Sequence, residues 1–174
     1  MAELTDPEFS RPVRLDTLGD GVRHIAIEAN ADERMALARR FGLLAIERMD
    51  AEADLHNTNG AVHASGRLRA AVTQACVASG EPIAAIVDEP FELKFMPEGS
   101  ATEDEIELDE DDLDIIGFAG GAIDLGEAAA QTLSLALDPF PRAPNAAQVL
   151  REAGVVDEQD VGPFAVLKGL KDKL

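Results

Sequence analysis

The sequence predicts an α+β fold. The expected architecture is an antiparallel sheet of about five or six strands, a helix after the second strand, a C-terminal helix packing on the sheet, and a short helical tail. Three observations carry this. Residues 49–72 alternate apolar and polar side chains on both sides of Asn59-Gly60, the period-two pattern of half-buried strands joined by a tight turn. Stretches after Asn30 and after Asp124 switch to helical spacing behind a capping residue. Residues 97–114 follow neither pattern: a Pro-Glu-Gly opening leads into acids, which reads as a solvated loop.

Taken in order, VRLDT at 13–17 and RHIAIE at 23–28 flank LGDG and read as a first hairpin. Asn30 with Glu33 forms a capping pair for a helix through about Phe41, with acids in its first turn and Arg39 and Arg40 in its last, as the helix dipole favours. A type I′ turn at Asn59-Gly60 sets Asp50 opposite Arg69, Glu52 opposite Arg67 and His56 opposite His63. The longer loop alternative would oppose Arg48 and Arg69, a like-charge clash.

Ile83 to Met96 reads as a strand with Ala85, Val87, Phe91, Leu93 and Phe95 in phase, Pro90 marking an edge or bulge. Ile115, Ile116 and Phe118 make a short strand. Asp124 with Glu127 caps the next helix, whose buried stripe is Leu125, Ala129, Leu133, Ala136 and Leu137, ended by Pro139. Two shorter helices follow, one capped by Asn145 with Gln148 and closed at Gly154, one starting at Pro163. Residues 1–144 are expected to form one domain, containing the acidic loop 97–114, and residues 145–174 a helical tail.

With 174 residues, 46% of them hydrophobic, the chain has enough material for a real core. Trp and Tyr are absent, so Phe, Leu, Ile, Val and Ala must fill it. A single Cys rules out an intramolecular disulfide and suits a reducing cytoplasm. The N-terminus has no signal-peptide character, and no run approaches the ~20 apolar residues that span a bilayer. A cytoplasmic protein without membrane contact is expected.

The net charge of −19 is unevenly placed. Residues 1–74 are net −3, residues 142–174 are balanced, and residues 75–141 hold one lysine against seventeen acids. Direct nucleic-acid binding draws most of its affinity from neutralising phosphates, so this middle third repels DNA and RNA. The extreme is EDEIELDEDDLD at 103–114, where Glu103, Asp104, Glu105, Asp109, Glu110, Asp111 and Asp112 are candidate contacts for a basic partner.

Recognisable chemistry is sparse. Counted from Asp109, the acidic run has Leu113 at the fifth position of a calcium loop and lacks its central Gly and closing Glu. His56 and His63 face each other without a third ligand nearby, whereas structural zinc wants four. Cys76, in phase with Val72 and Leu68, points inward as a small hydrophobe. A thiol nucleophile would need a neighbouring base. No phosphate-binding loop or serine-hydrolase elbow occurs. No enzyme, metal or cofactor is expected. An RNA-binding alternative rests on Arg67 and Arg69 together with Lys168, Lys171 and Lys173.

Several segments resemble a known family. GAVHASGRLRAAVTQAC at 60–76 precedes PFELKFMP at 90–97 and the acidic insert; GGAIDLGEAAAQTLSLALDPFPRAP at 120–144 and PFAVLKGLKDKL at 163–174 follow. In order and spacing they resemble the YceD family, the large ribosomal RNA subunit accumulation proteins, and the fuller N-terminal region resembles its alphaproteobacterial branch. Many relatives carry a second cysteine three residues after the first, where this chain has Ser79. The resemblance implies a non-enzymatic factor for 23S rRNA accumulation and ribosome assembly. Its expected partner is a ribosomal protein or a precursor of the large subunit, with rRNA itself as the alternative.

Overall fold

The computed structural model describes residues 7–19, 21–99 and 114–155. These fall into two compact units, drawn from Met1–Gln74 with Ala84–Asp138 and from Ala75–Ile83 with Pro139–Leu174. The first unit carries strands β1 (Pro12–Arg14), β2 (Arg23–Glu28), helix α1 (Ala31–Phe41) and β3 (Ala45–Thr58). It continues with most of β4 (Ala61–Ala75) and β5 (Pro82–Pro97), then β6 (Asp114–Phe118), β7 (Ala122–Asp124) and α2 (Leu125–Ala136). A five-stranded sheet runs in the order β2-β3-β4-β5-β6, and β1 with β7 makes a separate two-stranded ladder.

The central hairpin follows the sequence closely. Asn59 (φ 53°) and Gly60 (φ 85°) both adopt positive φ, the signature of a type I′ turn. The ladder pairs Asp50 with Arg69, Glu52 with Arg67 and His56 with His63. Helix α1 begins at a full capping box: the Asn30 side chain accepts from the N–H groups of Asp32 and Glu33, and Glu33 reaches back to the Asn30 N–H. Gly42, in the left-handed region at φ 66°, ends it.

The N-terminal hairpin expected around LGDG does not form. Residues 15–17 make a 3-10 turn, and β1 pairs instead with β7, Val13 opposite Ile123. β2 pairs with β3. Local alternation located β2 but carried the first strand through residues 15–17, which turn instead, and it could not say which partner each strand would find. The main sheet is also mixed rather than antiparallel, because β6 runs parallel to β5 over Leu93–Pro97. Pro90 lies before that paired stretch, consistent with a residue that has no amide to donate.

One face of the sheet is apolar. Phe9, Leu37, Met49, Leu55, Leu68, Phe95, Ile123, Leu125 and Leu133 are fully buried in one cluster. Each such side chain contributes about 1.5–3 kcal/mol on leaving water. With no Trp or Tyr, Phe9, Phe91, Phe95 and Phe118 are the buried aromatics among the described residues. Gly66 sits on this face of β4, where an added Cβ would lie 2.7 Å from the Phe91 ring and 2.1 Å from the Glu52 carbonyl oxygen. The apolar phase of β4 thus carries a gap that the ring occupies.

In the second unit, α3 (Ala146–Glu152) starts after Asn145, but not by the expected cap. The Asn145 side chain makes no capping bond and donates instead to Glu81, 2.9 Å away, while Gln148 bonds Glu152. A glutamate brought close from residues 75–83 outcompetes the local backbone. The expected helix from Pro163 lies outside the described residues.

Candidate functional site

The polar side of the sheet presents two of the residues that the sequence marked as candidates. Arg67 and Arg69 stand on β4 among carboxylates of β3 and β5. Arg67 donates to Asp88 at 2.7 Å, and Arg69 reaches Glu52 at 3.0 Å and Asp88 at 4.0 Å. Neither arginine bonds the residue directly opposite it in the ladder; both reach diagonal or next-strand acids. The Arg67 hydrogen bond holds the Asp88 carboxyl below the usual carboxylate range, and Asp88 in turn raises the arginine. A guanidinium already neutralised by its own chain has less to offer a phosphate.

Further along the same face, His24 lies 2.8 Å from Asp54. Arg48 Nε approaches Asp50 Oδ1 to 2.6 Å, yet that oxygen is buried and receives no aligned hydrogen bond. Ion contact without direction leaves it short of a donor. Glu28, opposite Asp50, has no cation on its carboxylate among the described residues. Glu28, Arg48, Asp50 and Glu52 line an open cavity of about 410 Å³ on this side of β2. On the other side, β1 and β2 border a second cavity of about 400 Å³, with Val13, Ile25 and Ile27 in its wall and Arg11, Arg14 and Arg23 at its rim.

Sequence reasoning missed the ionic scaffold that holds the N-terminal segment. Arg11 grips Glu33 through two bonds of 2.7 and 2.9 Å, donates to the Glu28 carbonyl at 3.0 Å, and stacks over Phe9. Its guanidinium pulls the Glu33 carboxyl down from its ordinary value. Arg40 bridges Glu8 and Glu127, and depresses Glu127 in the same way. Asp124 caps α2 through the Glu127 N–H and also accepts from Ser10 and the Arg11 N–H. The signal was there in Gly126: a glycine in the first turn of a capped helix suggests close approach. A Cβ at that position would meet the Phe9 carbonyl oxygen at 2.4 Å.

Cys76, in the second unit, is buried as expected. Its environment is more polar than a core cysteine's: the Ala143 N–H donates to Sγ at 3.3 Å, and the nearby Ser79 hydroxyl also favours the thiolate. These donors, Ala143 first, outweigh burial and lower the thiol to about 7. Among the described residues, no group of three or more His, Cys, Asp and Glu is placed to hold a metal ion. The candidate residues Glu103, Asp104, Glu105, Asp109, Glu110, Asp111 and Asp112, and Lys168, Lys171 and Lys173, lie outside the described residues.

The stretch beginning in β4, with Arg67 and Arg69, and running through β7 and α2 matches a family model. That model is described as large ribosomal RNA subunit accumulation protein YceD, and it matches residues 64–171. The chain belongs to the YceD family. The family's description implies a role in accumulation of large-subunit ribosomal RNA. Comparisons with curated proteins and with solved structures each found no match. Within this YceD protein the matched residues take in Cys76 and α2, whereas β1, β2, α1 and β3 precede them. No described helix is long and apolar enough to cross a membrane.

Proposed function

We propose that this YceD protein is a non-enzymatic cytoplasmic factor for 23S rRNA accumulation, acting in large-subunit assembly by binding a basic ribosomal protein or a precursor particle. The family match over residues 64–171 carries the reading. Two physical features support a protein or ribonucleoprotein partner over naked RNA. The segment 75–141 is net −16, which attracts basic proteins and repels phosphate. Arg67 and Arg69, the best-placed cations for RNA, are occupied by Asp88 and Glu52.

The test is to deplete the protein and measure the ratio of 23S to 16S rRNA, then crosslink and purify the tagged protein from native cytoplasm. The expected outcome is a fallen ratio, with large-subunit proteins or precursors recovered. An unchanged ratio overturns the assembly role. Salt-sensitive binding to protein-free 23S fragments, lost on charge reversal of Arg67 and Arg69, would replace protein binding with direct RNA binding.

A further inference from the structure

β2 is the edge of the five-stranded sheet, and half of its peptide groups face away from β3. The ladder fixes which half. Ala29 N–H donates to the Met49 carbonyl at 3.0 Å, so in an antiparallel ladder the hydrogen-bonded pairs recur every second residue. Those are Ile27 with Ala51 and Ile25 with Ala53. The N–H and C=O groups of His24 and Ala26 therefore point outward, and no described residue bonds them. An exposed edge of this kind is a template for another strand.

The two cavities lie on opposite faces of this same strand. One has Val13, Ile25 and Ile27 in its wall, and the arginines at its rim are engaged: Arg11 with Glu33, Arg14 with Asp16, Arg23 with Thr17. The other is lined by Ala26, Glu28, Arg48, Asp50 and Glu52. Ala26 is small, so a side chain entering there has room beside Glu28, two residues along the same face of β2. Arg48 already lies 2.6 Å from Asp50 Oδ1 and Arg69 lies 3.0 Å from Glu52, which leaves Glu28 as the carboxylate here with no cation among the described residues. A strand added to β2 would send alternate side chains to the two faces: apolar ones toward Ile25 and Ile27, cationic ones toward Glu28.

We infer that the open edge of β2 is a docking site for an extended peptide segment that alternates basic and apolar residues, bound by strand addition. This deepens the proposed function, resting on its basic partner, and places contact outside the family-matched residues. Backbone bonds to His24 and Ala26 would supply affinity, and the two cavities would select the alternating pattern.

The probe is the peptide Lys-Val-Lys-Val-Lys-Val-Lys, compared with a block isomer of the same composition and with a version N-methylated at alternate amides. Binding is measured by titration calorimetry with the whole protein. The alternating peptide should bind on the order of tenfold or more tighter than either control. Ala26→Pro removes an outward N–H without deleting a β2–β3 hydrogen bond and should abolish the preference. Glu28→Lys should weaken the alternating peptide with the fold unchanged by circular dichroism. Equal binding of the three peptides overturns the inference, since bulk charge would then suffice, and so does absence of binding. Because N-methylation alters the peptide and not the protein, a misfolded variant cannot decide the matter. Particle binding separates the two readings. If Ala26→Pro still recovers large-subunit precursors, the edge is wrong and the proposed function stands. If the unaltered protein recovers none, the proposed function is wrong, whatever the peptides do.

Discussion

Arg69 stands directly opposite Asp50 in the β3–β4 ladder, yet its guanidinium bonds Glu52, the diagonal neighbour, at 3.0 Å. Arg48 takes the place beside Asp50, and Arg67 turns to Asp88 on the next strand. The pairs fix the charge pattern of the face without depending on any one contact. Exposed pairs of this kind contribute little. Arg67→Ala should therefore leave the melting temperature within about 1 °C of the parent. A loss several times larger in a thermal melt would show that the face is a coupled network.

Gly126→Ala sets two effects against each other. Alanine favours a helix over glycine by about 1 kcal/mol. Against that, its Cβ would meet the Phe9 carbonyl at 2.4 Å and the Arg11 nitrogen at 2.9 Å, backbone atoms that cannot swing aside. Overpacking of about 1–3 kcal/mol should win, giving net destabilisation in chemical denaturation. A stabilised variant would mean that the N-terminal segment does not dock on α2.

The two buttressing carboxylates make a pH prediction. Arg11 and Arg40 lower Glu33 and Glu127 from the ordinary value of 4.5. A group depressed in the folded state contributes its stability above the unfolded pKa and loses it as pH falls through the folded one. Glu127→Gln should thus cost stability at neutral pH and flatten the acid limb below about pH 4.5. Parallel denaturation curves for parent and variant between neutral pH and pH 3 check this; a constant difference would contradict it.

Cys76 gives the opposite region of the pH scale. Its thiol is lowered from 9.0 to about 7, so its contribution is complete above pH 9 and is lost as pH falls through 7. The stability gap between the parent and Cys76→Ala should widen from pH 7 to 9. A gap that does not change with pH would show that Sγ is a plain hydrophobe.

The acidic run predicts a salt effect. Replacing Glu103, Asp104, Glu105 and Asp109–Asp112 with Asn or Gln should weaken binding to ribosomal particles most at low salt, where screening is least. If the neutralised variant binds as the parent does at both low and high salt, the run is only a spacer.

What could be read in advance was local or nearly so. The Asn59-Gly60 turn fixed a register because both its chemistry and its flanking charges allow one answer, and the Asn30 cap lies within four residues of its partners. Pairing between distant segments left no such trace. Nothing in VRLDT distinguishes pairing with its neighbour from pairing with Ala122–Asp124, and nothing at Asn145 announces Glu81. The edge of β2 was equally hidden, because an open edge is a property of the whole sheet order.

The pairing of β1 with β7 joins residues more than a hundred positions apart. During synthesis, the segment around Phe9 and Val13 leaves the ribosome long before Ile123 and Asp124 exist. At ordinary translation rates the interval is on the order of 10 s. Until then Phe9, which ends fully buried, has no α2 to lie against, and Arg11 has no Asp124 to accept its amide. The nascent chain must hold that end exposed until β7 and α2 have been made.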